Sequence, residues 1–141
     1  GYFRDEVPAL ITRYTDLFLF DIKHPDPKKH LKYTGVSNDV ILKNFRTLME
    51  KVGPDRIIVR VPLIPGVNTD EKSVAALCGL LKENGYSGEV HLMPYNSLAK
   101  TKWQKIGRGK EYKDYGPLED SEVERIEAQL RSSGFTVVVS K

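Results

Sequence analysis

The stretch Asp16-Leu17-Phe18-Leu19-Phe20-Asp21-Ile22-Lys23-His24 decides how the rest of the chain is read. An apolar run of this length predicts a strand buried on both faces, as in a parallel sheet. Side chains alternate along a strand, so Asp21 and Lys23 point to the same side. A carboxylate and an ammonium at the end of a buried strand are costly unless they are paired, hydrated or bound to something. In α/β sheets and barrels that end is also where ligands sit. Asp21 and Lys23 are therefore the first candidate site residues.

Upstream of this strand, Val7, Leu10, Ile11 and Tyr14 recur at helical spacing and predict a short helix within residues 5–14. Downstream, Pro25-Asp-Pro27 ends the strand and opens a loop, with room for one helical turn, that carries Lys28, Lys29, His30 and Thr34-Gly35. Ser37 or Asn38 is placed to cap a helix whose apolar stripe runs through Ile41, Leu42, Phe45, Leu48, Met49 and Val52. Gly53-Pro54 stops it, and Arg56-Ile-Ile-Val-Arg-Val-Pro62 reads as the next strand. Thr69 or Asp70 caps a further helix ending near Gly85, and Val90-His-Leu-Met-Pro-Tyr95 is a third strand. A polar stretch from about Asn96 to Glu119 follows. Ser121 to Glu124 has the spacing of a capping box for the last helix, and Phe135-Thr-Val-Val-Val139 closes the chain as a strand. Alternating helices and strands imply parallel strands joined by right-handed crossovers, forming an open sheet or a piece of a larger barrel.

A chain of 141 residues suits one domain with its own core. The net charge of +3 is small and both signs are mixed along the sequence, which argues against nucleic acid as the main partner. No run is long and apolar enough to span a bilayer, and no secretory signal is visible after Gly1, so the expected location is the cytoplasm. The single cysteine, Cys78, allows neither an internal disulfide nor a Cys-rich metal site.

The ends of the first three strands bring together Asp21 and Lys23, then Arg60, then Tyr95 and Asn96. A carboxylate, two cations and hydrogen-bonding side chains suit a zwitterionic or ribose-bearing ligand. The same residues also suit a plain Asp–Lys or Asp–Arg ion pair, and pattern alone leaves both readings open. His24 and His30 are expected in surface or loop roles, and His91 as a packed or surface residue. Lys23, beside Asp21, could also serve as a Schiff-base lysine. The 96–119 stretch carries Lys100, Lys102, Lys105, Arg108, Lys110 and Lys113 interleaved with Trp103, Tyr112 and Tyr115. It could bind single-stranded nucleic acid, cover a site or meet a protein.

Four blocks of the sequence carry a resemblance. Asp16 to His24 together with His30-x-x-x-Thr-Gly-Val-Ser-Asn38 resembles a segment of the glycyl-radical-enzyme activating enzymes, a family that includes pyruvate formate-lyase activating enzyme. Ile58-Val-Arg-Val-Pro-Leu-Ile-Pro-Gly-Val-Asn68 is similar to the next block of that family. Leu92-Met-Pro-Tyr-Asn-Ser-Leu-Ala-Lys-Thr-Lys-Trp103 is similar to the one after, followed by Ile106-Gly and Tyr112. The resemblance implies a radical S-adenosylmethionine enzyme built on a partial (β/α)6 TIM-like barrel. In that family a [4Fe–4S] cluster reductively cleaves S-adenosylmethionine, and the deoxyadenosyl radical abstracts hydrogen from a backbone glycine of a partner such as pyruvate formate-lyase. It implies S-adenosylmethionine contacts from Asp21, Lys23 and Arg60, with Asn96 standing where many members have His. It further implies flavodoxin or ferredoxin as electron donor.

The family's Cys-x-x-x-Cys-x-x-Cys cluster loop is absent from the sequence, as is its Gly-Gly-Glu segment. The expectation is a single truncated domain over residues 1–141, the C-terminal half of such an enzyme, inactive by itself. Its first strand would then be an unpaired edge, and dimerisation through that edge is expected.

Overall fold

The structure, a computed structural model, describes residues 1–4, 7–95 and 103–140. Among the described residues, the elements that position the site are α1 (Val7–Ile11), β1 (Phe18–Asp21), α2 (Pro27–Thr34), α3 (Asp39–Val52), β2 (Ile57–Leu63), α4 (Glu71–Glu83), β3 (Glu89–Pro94), α5 (Asp120–Ser132) and β4 (Thr136–Val139).

The four strands form one parallel sheet in the order β1-β2-β3-β4. Consecutive strands are neighbours throughout, and one core binds all the long helices to one side of the sheet. Phe45 and Leu48 of α3, Leu77 and Leu81 of α4, and Ile126 and Leu130 of α5 share a buried cluster with Phe18, Phe20, Val59, Val61, Val90 and Leu92. A doubly wound sheet reverses its strand order and carries helices on both faces. Unreversed order with helices outside is the wall of a barrel, so the chain is an α/β arc of a partial TIM-like barrel.

This arrangement corrects the reading of β1 as buried on both faces. Phe18 and Phe20 are buried, but Leu19 between them is 53% exposed and Asp21 is half-buried. β2 alternates in the same way. All the long helices pack on one face, so every second residue is left on an open face. There the register lines up Asp21, Arg60, His91 and Val138 across the four strands.

Local chemistry explains two further departures. The segment after β1 is a full two-turn helix rather than a loop. The Asp26 carboxylate accepts from Lys28 N (2.8 Å) and Lys29 N (2.9 Å), Pro27 fills the first helical position, and Gly35 ends the helix with φ 78°. Asp-Pro is thus a helix start as well as a strand stop. The expected capping box at Ser121 is not used. The last helix starts at Asp120 after Glu119, which makes no side-chain cap bond, and Asp120 and Glu122 place negative charge in the first turn. Asp70 does cap α4, accepting from Ser73 N at 3.0 Å.

Tyr86 ties the sheet's lower edge together. Its hydroxyl accepts from Val59 N (3.1 Å) and lies within reach of the Ile57 and Glu89 carbonyls, and burial pushes its pKa up to about 12. Arg56 clamps the entry to β1, donating to the carbonyls of Thr12, Thr15 and Asp16. Among the described residues, no helix is long and apolar enough to cross a membrane.

Candidate functional site at the strand ends

Asp21 and Arg60 are register partners at the upper end of β1 and β2. Arg60 Nε and Nη2 reach the same oxygen, Asp21 Oδ1, at 2.8 and 2.7 Å. The ion pair that the sequence left open therefore forms. Two charge-assisted donors on one oxygen fix the carboxylate's orientation. Each side chain is about one-third exposed (34% and 35%), so the pair contributes little to stability, and its effect is positional.

Lys23 lies two residues on, exposed, on the same side as Asp21. The two share a cleft of about 310 Å³ with Gly1, His30 and Thr34. Among the described residues the Lys23 ammonium has no partner, so it is available to a ligand. Its backbone is held firmly. The buried side chain of Asn68 donates to Lys23 O at 2.9 Å and Pro62 O at 2.7 Å, while its own oxygen accepts from Ile64 N at 2.9 Å. Asn38 does the same for the next residues, donating to His24 O and Pro25 O at 3.0 Å each. Two buried asparagines thus staple the exit of β1 to neighbouring loops. The sequence signal was present, as each asparagine follows a Gly-Val pair by one or two residues, but Asn38 read as a helix cap and Asn68 only as the end of a sequence block.

His24 and His30 correct the sequence reading. Both are buried, at 3% and 2% exposure, rather than on the surface, His24 in the loop after β1 and His30 within α2. His24 Nδ1 accepts from Asp26 N at 3.0 Å, which puts its proton on Nε2, 3.4 Å from Ser73 Oγ. Burial first, and then the nearby Lys29 charge, lower its pKa below the usual histidine value. Ser73 Oγ–H donates to Asp70 at 2.6 Å, which lowers the Asp70 pKa, and Lys29 Nζ completes the group 3.6 Å from Asp70. This network joins the exit of β1 to α2 and α4. His30 donates from Nδ1 to Val36 O at 2.8 Å. Its Nε2 is buried with no hydrogen-bond partner among the described residues. An unmet buried acceptor costs on the order of 1–3 kcal/mol.

His91, half-buried on the open face beside Arg60, pairs with Glu89 two residues back. Tyr95 shares a hydrogen bond with Tyr112 that, together with burial, raises the Tyr112 pKa to about 12. Asn96 lies outside the described residues, as do Lys100 and Lys102. In the rest of that basic stretch, Arg108 sits 5.1 Å from the Trp103 ring centre and Lys113 4.9 Å from that of Tyr115, while Trp103 meets Tyr112. These rings are engaged by one another and by cations. Lys23 stands in an open cleft, whereas a Schiff-base lysine is activated in an apolar pocket or beside another cation. Among the described residues, no group of three or more His, Cys, Asp or Glu could hold a metal ion, and Cys78 is buried within α4.

No protein-family model matches the chain. It is similar to the choline trimethylamine-lyase activating enzyme of Oleidesulfovibrio alaskensis, 34% identical over 99% of this chain and 45% of the relative. It is likewise similar to the 4-hydroxyphenylacetate decarboxylase activating enzyme of Clostridioides difficile (32% identical, 96% of this chain, 42% of the relative). The trans-4-hydroxy-L-proline dehydratase activating enzyme of that organism is 36% identical over 99% of this chain and 46% of the relative. The chain's homologues are glycyl-radical-enzyme activating enzymes. It spans a little under half the length of the curated relatives it matches. The fold is shared with a domain of pyruvate-formate lyase-activating enzyme from Bacteroides vulgatus, at TM-score 0.78 and 24% identity over 98% of this chain and 75% of that one. It is also shared with a radical SAM methyltransferase from Sphaerobacter thermophilus, at TM-score 0.69 and 17% identity over 95% of this chain and 36% of that one.

Proposed function

We propose that this chain is part of a radical S-adenosylmethionine enzyme that activates a glycyl-radical enzyme, and that its strand-end cleft binds S-adenosylmethionine. The observation that carries the reading is the oriented Asp21 carboxylate beside the unpaired Lys23 ammonium in one cleft, within sequence blocks similar to the activating enzymes. The donor set fits a molecule with a carboxylate, an amino group and ribose hydroxyls. Lys23 donates to the anionic or hydroxyl oxygens. Asp21 accepts from hydroxyl or amino groups through Oδ2, to which no described residue donates. Arg60 acts mainly by holding Asp21, since Nε–H and one Nη2–H are spent on Oδ1, which leaves the second Nη2–H and the two Nη1 hydrogens for the ligand. Asn96, outside the described residues, is proposed from the sequence blocks as a further hydrogen-bonding residue, without the proton-transfer capacity of a histidine.

When bound and reductively cleaved at a [4Fe–4S] cluster, S-adenosylmethionine supplies the radical that takes hydrogen from the partner's glycine. The residues of this chain do not fit the cluster itself, because their one cysteine is buried in α4. The reading therefore assigns the cluster ligands to a part of the complete protein outside residues 1–141 and makes this domain the cofactor-orienting half, inactive alone. A flavodoxin or ferredoxin is the proposed electron donor.

The test uses the complete protein, loaded anaerobically with iron and sulfide, reduced and given S-adenosylmethionine. Release of 5′-deoxyadenosine that falls on Lys23→Ala substitution is the expected result. A cluster-loaded, reduced protein that neither binds nor cleaves S-adenosylmethionine would reject the function.

A further inference from the structure

The parallel ladder between β1 and β2 reaches Ile22, whose N–H donates to Arg60 O at 3.0 Å. Rungs of a parallel pair recur at every second residue, so the next one needs an N–H at position 62. Position 62 is proline, which has none. The sheet therefore lets go of β1 immediately before Lys23. Asn68 takes over at that point. Its Nδ2 group donates to Lys23 O at 2.9 Å and to Pro62 O at 2.7 Å, bridging the two strands where the backbone cannot. Its Oδ1 accepts from Ile64 N at 2.9 Å, and the turn behind it is closed by Val67 N donating to Ile64 O at 3.0 Å. Asn68 is 6% exposed. With both amide hydrogens and the oxygen engaged, it is held in one orientation.

We infer that Asn68 is the positioning residue for Lys23: it fixes the backbone from which the ammonium reaches into the cleft, and through that ammonium it sets the affinity of the cofactor site. The inference rests on the function proposed above. A lysine carries its charge on a long flexible stem, so the charge has a defined reach only when the root of the stem is fixed. Lys23 is exposed and its ammonium has no partner among the described residues, which leaves the backbone as the part that is held. The position asks for an amide of this length. Aspartate has the same shape but offers oxygens to two carbonyls, serine is too short to span both strands, and glutamine adds a methylene in a buried place.

The test is a double-mutant cycle of Asn68→Ser with Lys23→Ala in the complete, cluster-loaded protein, read as the affinity for S-adenosylmethionine in a calorimetric titration. With Lys23 present, Asn68→Ser should weaken binding about fivefold or more. In the Lys23→Ala background it should change binding by less than about twofold, because no ammonium is left to misplace. The unfolding midpoint should fall by the same amount in both backgrounds, which separates positioning from stability. The isosteric Asn68→Asp variant should give the same pattern and carries the test if the serine variant does not fold. An affinity unchanged in both Asn68 variants, or a loss as large without the Lys23 ammonium as with it, would overturn the inference. Absence of any S-adenosylmethionine binding by the unmodified protein would instead overturn the function it rests on, and the inference with it.

Discussion

On the helix-covered face of the sheet, Phe18, Phe20, Val59, Val61, Val90 and Leu92 meet α3, α4 and α5 in a closed apolar layer. One residue along on the same strands, Leu19, Asp21, Ile58, Arg60, Glu89 and His91 face away from every long helix. The two faces are written in alternating letters of the same short segments, yet they do different work. The covered face holds the fold by burial. The open face is largely released from that duty and can carry charge, because its groups keep contact with water or with one another. Stability and ligand recognition are thus separable by a one-residue step along a strand, and substitutions can test the separation.

The largest effect is expected from the covered face. Phe45 is fully buried at the centre of the core, tilted against Phe20 and Tyr86 with ring centres 5.2 and 5.7 Å away. Phe45→Ala should cost about 3–5 kcal/mol in a denaturant titration. Leu19→Ser on the open face should change stability by less than about 0.5 kcal/mol. Comparable losses at the two positions would erase the distinction between the faces.

A smaller effect is expected where the site is tied to the fold. Asp70→Ala removes the cap of α4 and the acceptor of Ser73, which should cost about 1 kcal/mol of stability. An unfolding midpoint that does not move would show that the His24–Ser73–Asp70 group plays no part in holding the β1 exit.

His24 gives that group a pH dependence. Its pKa is lowered in the folded chain, so on acidification the unfolded chain takes up a proton before the folded one does. The contribution is fully present above about pH 6.5, the ordinary histidine value. It is lost progressively as pH falls from there through the lowered native value. Denaturation midpoints measured across this window should therefore drop more in the unmodified chain than in His24→Gln. Parallel pH profiles for the two would contradict the neutral, buried assignment.

Much of this was legible in the sequence, because each strand and helix carries its own period. The alternation at Asp21 and Lys23, the Phe45 stripe and the Asp70 cap needed no tertiary information, and the strand ends named Asp21, Lys23 and Arg60 as neighbours. What could not be read is what depends on who covers whom. A run such as Leu17–Phe20 looks the same whether one face or both are buried. His24 and His30 lie in a polar stretch, and only the packing of α2 against the loops after β1 and β2 buries them. Asn68 matters through bonds to the backbones of Lys23 and Pro62, and backbone partners leave no mark in a side-chain pattern. The pairing of Arg60 with Asp21 was one of two open readings, and it is the register of β1 on β2 that brings the two side chains together.

The smallest change in stability, and the most direct test of the account, belongs to Lys23. The ammonium has no partner among the described residues, so Lys23→Ala should leave the unfolding midpoint within about 0.5 kcal/mol of the unmodified protein. In a calorimetric titration of the complete, cluster-loaded protein with S-adenosylmethionine, the same substitution should weaken binding about tenfold or more, the loss of one charged hydrogen bond. An affinity for S-adenosylmethionine that is the same with and without the Lys23 ammonium would contradict the claim that the open end of the sheet is the cofactor site.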